Sequence, residues 1–567
     1  MLNRRELLGL GVRMAVGTSA GALLVADALA GTKSVYTPAV ALLDRYVEQY
    51  LREMNAPGLT LSLADASGVQ RVTAYGLEQL SPPVALNPGK LFHIGSITKS
   101  FLGLCLVQLQ EEGKVDLHRP VLDYLPTLRL DGLTRPLTAH DLLTHSAALP
   151  DGELFPADPA FRYRSTAEPG AFFHYCNMAF DALGHLVAKL DGRSLAESFR
   201  ARIFEPLGMT SSDPAIMLDG FARVAASYRP VFNDRPFPRD GALLASPPIE
   251  TSAAAGCIAS TARDMGAYVT MLINRGATPK GRIVSEAGFE LFARPHMSAE
   301  HFGPGASYGY GIAVDQLDGH TRLRHTGGMV SFASALEVDR DTGIGVFASI
   351  NAMQGFRPRP VAEYALRLMR ACREGKPLLE TPPSKSRWSI ESASDYAGRY
   401  TSASGRALDV VAEGDRVYLV HRGVRVPLEP SPDFENAFLV HHADFASFAL
   451  VFGRAGADGK GRVVEAGWGD EWFTTSSYDG PRSFDTPDAW RPYVGYYRTE
   501  DPWLGGHRIS LRRGRLWLDG VIPLEAAPDG RFYWRDEPQS PEWVRFSDIV
   551  DTRAMRMTLS GYELRRV

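Results

Sequence analysis

"FHIGSITKSF", residues 92–101, sets a serine and a lysine three residues apart where an apolar run begins. Phe101, Leu102, Leu104, Leu106 and Leu109 then recur as a buried helix requires, and Gly113 marks its end. If Ser96 opens that helix, Lys99 lies nearly one turn on, along the same face. A serine hydroxyl is a poor nucleophile until a neighbour takes its proton. A desolvated lysine can take it near neutral pH. The plainer reading is a capping serine and a surface lysine. A Ser-x-x-Lys pair is expected about once by chance in a chain this long, so the decision falls to the rest of the sequence.

Two further short patterns bear on it. "FHYCN" places Tyr175 two residues before Asn177, and "RHTGGMVSF" places His325 before Thr326, Gly327 and Gly328. A tyrosine beside a lysine can take a serine proton and return it to a leaving group. Asn177 can bind a substrate amide or orient Lys99. A His-Thr-Gly on a strand edge lets a substrate chain approach the backbone, because glycine has no Cβ. Each pattern alone has a bland alternative: a core tyrosine, a turn.

In the order Ser-x-x-Lys, Tyr-x-Asn, His-Thr-Gly, the chain resembles the penicillin-recognising serine hydrolases. These include class C β-lactamases, D,D-carboxypeptidases, D-aminopeptidases and related esterases. The resemblance runs over roughly residues 40–370 and includes "DLLTHSAALPDG", "FEPLGMTSS", "AGCIASTARDMGAYVTML" and "YGYGI". It implies an α/β catalytic domain, an antiparallel sheet flanked by helices, with a helical subdomain that carries Tyr175 and Ser96 at the seam. It also implies Ser96 as the acylated nucleophile, with Lys99 and Tyr175 as a coupled proton-transfer pair. His325 joins them as a catalytic residue in the third motif. The backbone N–H groups of Ser96 and Gly328 would form the oxyanion hole, and Asn177, Thr326 and Gly327 would contact substrate. His325 stands where β-lactamases and carboxypeptidases carry lysine. That departure argues against a substrate carboxylate and towards the D-aminopeptidase and esterase branches. Cys176 and Cys257 depart from the usual small residues and read as packing around the pocket.

Beyond the linker "EGKPLLETPPSKS" the texture changes to short apolar alternations and Gly or Asp turns. "YAGRY" from Tyr396 recurs as "YVGYY" from Tyr493, and "RVYLV" from Arg416 has a partner in "RLWLD" from Arg515. Matched segments in the same order indicate two copies of one all-β unit, each a small barrel or half of a larger one. The expected organisation is an export signal at 1–30, a hydrolase domain at 31–380, and β-barrel-like units at 388–485 and 486–567. A tail of this kind resembles the D-aminopeptidase arrangement, in which a barrel partly covers the active site. "WGDEW" at 468–472 and "DPWLGGH" at 501–507 are candidate contact loops, with an aromatic β-turn as the plainer account.

Composition excludes several classes. With 45% hydrophobic and 22% charged residues and a net charge of −4, the chain reads as globular. It carries no polybasic block or strong charge run, so nucleic-acid binding, which usually needs a basic face, is not expected. No run after the N-terminus is long enough to span a bilayer. Arg4 and Arg5, a small-residue apolar stretch and Ala28-Leu29-Ala30 resemble a twin-arginine leader, so the expectation is export, to a bacterial periplasm. Cys105, Cys176, Cys257 and Cys372 lack metal-site spacing and read as free thiols. No cofactor or metal is expected. The expected function is an exported serine hydrolase acting on a small ester, an amide or a short peptide, including one with a D-residue. A weak β-lactamase or D,D-peptidase, and a catalytically retired binder of cell-wall fragments, stay open as alternatives. Substrate identity and oligomeric state are not legible here.

Overall fold

The computed structural model describes residues 25–27, 34–154, 162–231, 235–236, 242–353, 357–380, 386–431, 433–456, 461–501 and 504–567. The segment read as an export leader lies outside these, apart from Val25–Asp27, which pairs antiparallel with Val72–Ala74 at a sheet edge. No described helix is long and apolar enough to cross a membrane.

The catalytic domain is built on one antiparallel sheet. Its order runs Gly68–Leu80, Gly58–Asp65, Ile344–Ile350, Phe332–Asp339, His320–Met329, Ala313–Leu317 and outward to two short edge strands. The Asp-Thr-Gly hairpin expected over 333–350 is present, with Phe347 opposite Leu336. Alternation decides the layers, since successive side chains of a strand face opposite sides. Val346 and Ala348 face the helices Thr37–Met54 and Arg359–Glu374, whose Leu43, Val47, Tyr364 and Leu368 share that core. Phe347 and Leu336 face the other way, onto helix Ala262–Ile273 and the helical subdomain.

Ser96 sits in a 3₁₀ turn, Gly95–Ile97, that runs straight into helix Thr98–Glu111. Every residue from Thr98 to Leu109 is buried, so this helix is the centre of the subdomain core rather than an amphipathic surface element. Helix Asn177–Asp191 packs beside it.

The tail closes as two separate barrels, eight antiparallel strands each, over Gly398–Thr474 and Gly495–Arg566. Closure pairs Thr401 with Thr474 in the first and Tyr497 with Arg566 in the second. The repeat is structural as well as textual: Tyr400 Oη donates to Tyr396 O at 2.8 Å, and Tyr497 Oη donates to Tyr493 O at 2.8 Å. The barrels meet at Arg512, whose buried guanidinium donates to Gly469 O of the first and Gly520 O of the second, each at 3.0 Å. "WGDEW" therefore belongs to the barrel seam. All four cysteines are unpaired.

Candidate active site

A cleft of about 1060 Å³ lies between the catalytic domain and the barrels. Ser96, Tyr175 and Asn177 line it on one side, and Leu504, Leu559 and Tyr562 of the second barrel line it on the other.

Lys99 is fully buried at the base, directly below Ser96. Its Nζ lies 3.1 Å from Ser96 Oγ, 2.8 Å from Asn177 Oδ1 and 2.9 Å from the Ala255 carbonyl. Burial lowers its pKa from the ordinary lysine value, and the carboxylates of Asp181 and Asp151 pull the other way. Tyr175 stands over this amine, with Nζ 4.8 Å from its ring centroid, and lines the cleft together with Ser96. Desolvation raises the phenol's pKa, so it is protonated at rest. Its ring centroid lies 4.3 Å from that of His145 and 5.6 Å from that of His301.

Asn177 owes its orientation to Asp151. The Asp151 carboxylate accepts from Asn177 N at 2.7 Å, Asn177 Nδ2 at 2.8 Å and Met178 N at 3.0 Å, capping the start of that helix. One turn further along the helix, Asp181 accepts from Ala255 N at 3.0 Å and so holds the carbonyl that Lys99 uses. Desolvation raises the pKa of both acids. No sequence motif singles out either Asp151 or Asp181. The Asn177–Asp181 spacing of four was the available signal for the second. Asp151 had none, because its role depends on a loop meeting a helix.

The third motif reads differently in three dimensions. The His325 side chain is buried and is not among the residues that line the cleft, its ring centroid 6.4 Å from that of Tyr175. Its Nδ1 donates to Thr326 O at 2.6 Å, which leaves Nε2 to accept from the Tyr308 hydroxyl at 2.8 Å. Burial pushes its pKa down to about 3, with Lys99 adding repulsion, so the imidazole is neutral. Gly327 is required, but what approaches it is the protein's own chain: a Cβ there would sit 1.9 Å from Ile94 O. The strand therefore packs backbone to backbone against the segment leading into Ser96. Thr326 and Gly327 do not line the cleft, whereas Gly328 does, beside Ser96. Cys176 and Cys257 are buried behind the site.

The charge of the cleft is mostly acidic, with His507 the exception: burial opposes its protonation, but the Asp519 carboxylate 2.7 Å from its Nδ1 raises its pKa above the ordinary value. Asp151, Asp181, Glu250, Asp501, Asp519 and Glu542 line it, with no lysine or arginine among the described lining residues. Three of these come from the second barrel, and "DPWLGGH" supplies Asp501, Leu504 and His507.

A family model described as Beta-lactamase matches residues 43–370. The chain is 26% identical over 332 residues to "Unguisins hydrolase ungD'" of Aspergillus campestris (strain IBT 28561), covering 54% of this chain and 60% of that protein. It is 31% identical over 186 residues to "D-alanyl-D-alanine-carboxypeptidase/endopeptidase AmpH" of Escherichia coli (strain K12), covering 30% of this chain and 48% of that protein. These matches thus span about half to three-fifths of the curated relatives' own length. Among solved structures, the octameric penicillin-binding protein homologue from Pyrococcus abyssi superposes with a TM-score of 0.56 at 24% identity, over 77% of this chain and 99% of that one.

Proposed function

The chain belongs to the beta-lactamase family, and on that premise we propose that it is a serine hydrolase selective for small esters or amides bearing a positive charge. Amino-acid esters and amides, and short peptides with a free amine and a D-residue, are the substrate class. The observation that carries the reading is the cleft: carboxylates line both walls, no lysine or arginine is among its described lining residues, Lys99 lies buried beneath Ser96, and the neutral His325 is buried outside the lining. A penicillin or a D-Ala-D-Ala terminus presents a carboxylate, which such a cleft repels.

In the proposed reaction the Lys99 amine accepts the Ser96 proton as Oγ attacks the carbonyl carbon. The oxyanion is held by Ser96 N–H and Gly328 N–H, donors typically worth about 3 kcal/mol each in the transition state. Tyr175, protonated at rest, supplies the proton to the departing amine or alkoxide and is reloaded through the Lys99 pair. Water then attacks the acyl-enzyme by the same route in reverse. Export as a periplasmic protein remains part of the proposal on the strength of the Arg4–Arg5 leader.

Intact-mass labelling with a fluorophosphonate tests the nucleophile, with penicillin as the contrasting probe. The expected result is a phosphonate adduct on Ser96, absent in Ser96→Ala, and little or no penicillin adduct. Substrate charge is tested by comparing a free-amine ester with its N-acetyl form. An unlabelled parent, or hydrolysis unaffected by Ser96→Ala, would overturn the hydrolase reading. Equal kcat/KM for the amine and N-acetyl esters would overturn the charge selectivity.

A further inference from the structure

Glu542 belongs to the second barrel, far from the catalytic motifs in sequence, yet one of its oxygens sits between two segments that carry them. Oε1 accepts from the backbone N–H of Asp151 at 2.8 Å and from His174 Nε2 at 2.8 Å. Asp151 orients Asn177, which accepts from Lys99. His174 is the residue before Tyr175, and its own N–H donates at 2.7 Å to the carbonyl of His145, whose ring centroid lies 4.3 Å from that of Tyr175. A single carboxylate oxygen therefore ties together the supports of the proton-transfer pair.

Glu542 is itself held. Its Oε2 accepts from the Ser560 hydroxyl, and Ser560 is fully buried in the turn before the last strand of the barrel. Ser560 N donates to Trp543 O at 2.9 Å, which ties this turn to the strand that follows Glu542. The catalytic domain meets the same turn closely: a Cβ on Gly152 would come within 2.2 Å of Ser560 O. Without Glu542 the Asp151 N–H would lose its acceptor at a half-buried position, and the loop would have to move to satisfy it.

Resting on the hydrolase reading above, we propose that Glu542 is a positioning residue of the active site, so that the second barrel completes the catalytic geometry and does more than limit substrate size. It touches no reacting atom. It fixes the Asp151 loop and the Tyr175 segment relative to each other, and through them Lys99 and Tyr175 relative to Ser96.

The test uses the full chain and the rate of fluorophosphonate labelling of Ser96, read by intact mass at several probe concentrations. Glu542→Met keeps the side-chain length and removes the acceptor. Its maximal labelling rate is expected to fall at least about tenfold, as small misplacements of a reacting group do, with the half-saturating probe concentration little changed. Glu542→Gln keeps a carbonyl oxygen for both donors and is expected to restore the rate to within about threefold of the parent. A folded Met variant, with parental near-UV circular dichroism, that labels at the parental rate overturns the proposal. So does a Gln variant as slow as the Met variant. If the Met variant does not fold, Glu542→Asp decides in the same way: its carboxylate falls one methylene short of Asp151, and a parental rate overturns the proposal. Absence of labelling in the parent is a different failure, because it overturns the hydrolase reading and takes this inference with it.

Discussion

Lys99 brings three acceptors to one buried nitrogen, and one of the three is the nucleophile. That arrangement saturates an ammonium. It also lets the Ser96 contact reverse direction when the proton is lost, while Asn177 and Ala255 keep the nitrogen in place. Because burial disfavours the charged form, Lys99 reaches its amine form below the ordinary lysine range of about 10.4. Acylation of Ser96 is therefore expected to rise with pH through that lowered midpoint. Asp181 raises the Lys99 pKa by its charge, so Asp181→Asn, which keeps an acceptor for Ala255 N, is expected to move the midpoint to lower pH. The pH profile of phosphonate labelling checks the sign, and a shift to higher pH would contradict this electrostatic account. The residues visible beforehand were those whose spacing alone implies adjacency: Ser96 with Lys99, Tyr175 with Asn177. His325 was visible as a motif, but the direction of its side chain was not. That direction is decided by the Thr326 carbonyl and the Tyr308 hydroxyl, contacts that a linear pattern does not encode.

Elements position the site by approaching one another at backbone distance. The strand His320–Met329 reaches the Ile94–Ser96 segment only because position 327 lacks a Cβ. Gly327→Ala would force the strand and the nucleophile turn apart, separating Gly328 N–H from Ser96 N–H. Misplacing or losing an oxyanion donor costs about 10²–10³ in kcat, so a loss of at least about a hundredfold is expected. Ester turnover measured alongside thermal unfolding checks this, and a variant with parental turnover would show that the strand has room to yield. The hairpin over 333–350 and the buried helix after Ser96 were legible, since alternation and apolar periodicity are local. Barrel closure was not. A closed barrel and half of a larger one share the same alternation, and only the pairing of Thr401 with Thr474 and of Tyr497 with Arg566 separates them. Those pairings join residues far apart in sequence, and the strand pattern is silent about them.

At the scale of the whole molecule, the cleft is a composite. The catalytic domain contributes Asp151, Asp181 and Glu250, and the second barrel contributes Asp501, Asp519 and Glu542. The two barrels are clamped to each other by Arg512, and the second is tied to the catalytic domain by Glu542. The acidic field therefore exists only in the assembled chain. Such a field acts before contact, by concentrating cations at the cleft mouth, and it is screened by salt. Raising ionic strength from about 0.01 M to about 0.1 M shortens the Debye length from about 30 Å to about 10 Å. Over that range kcat/KM for a free-amine ester is expected to fall severalfold, while its N-acetyl counterpart changes little. The fall should be partial, because Asp151 and Asp181 are half-buried at the base of the cleft and less exposed to counterions. Replacing Glu250 by Gln should shrink the salt dependence without altering the N-acetyl rate, since that carboxylate lines the cleft and its Oε1 accepts from Leu218 N, outside the Lys99 network. Equal salt dependence for both esters would mean that the carboxylates serve the structure of the cleft rather than the charge of its substrate.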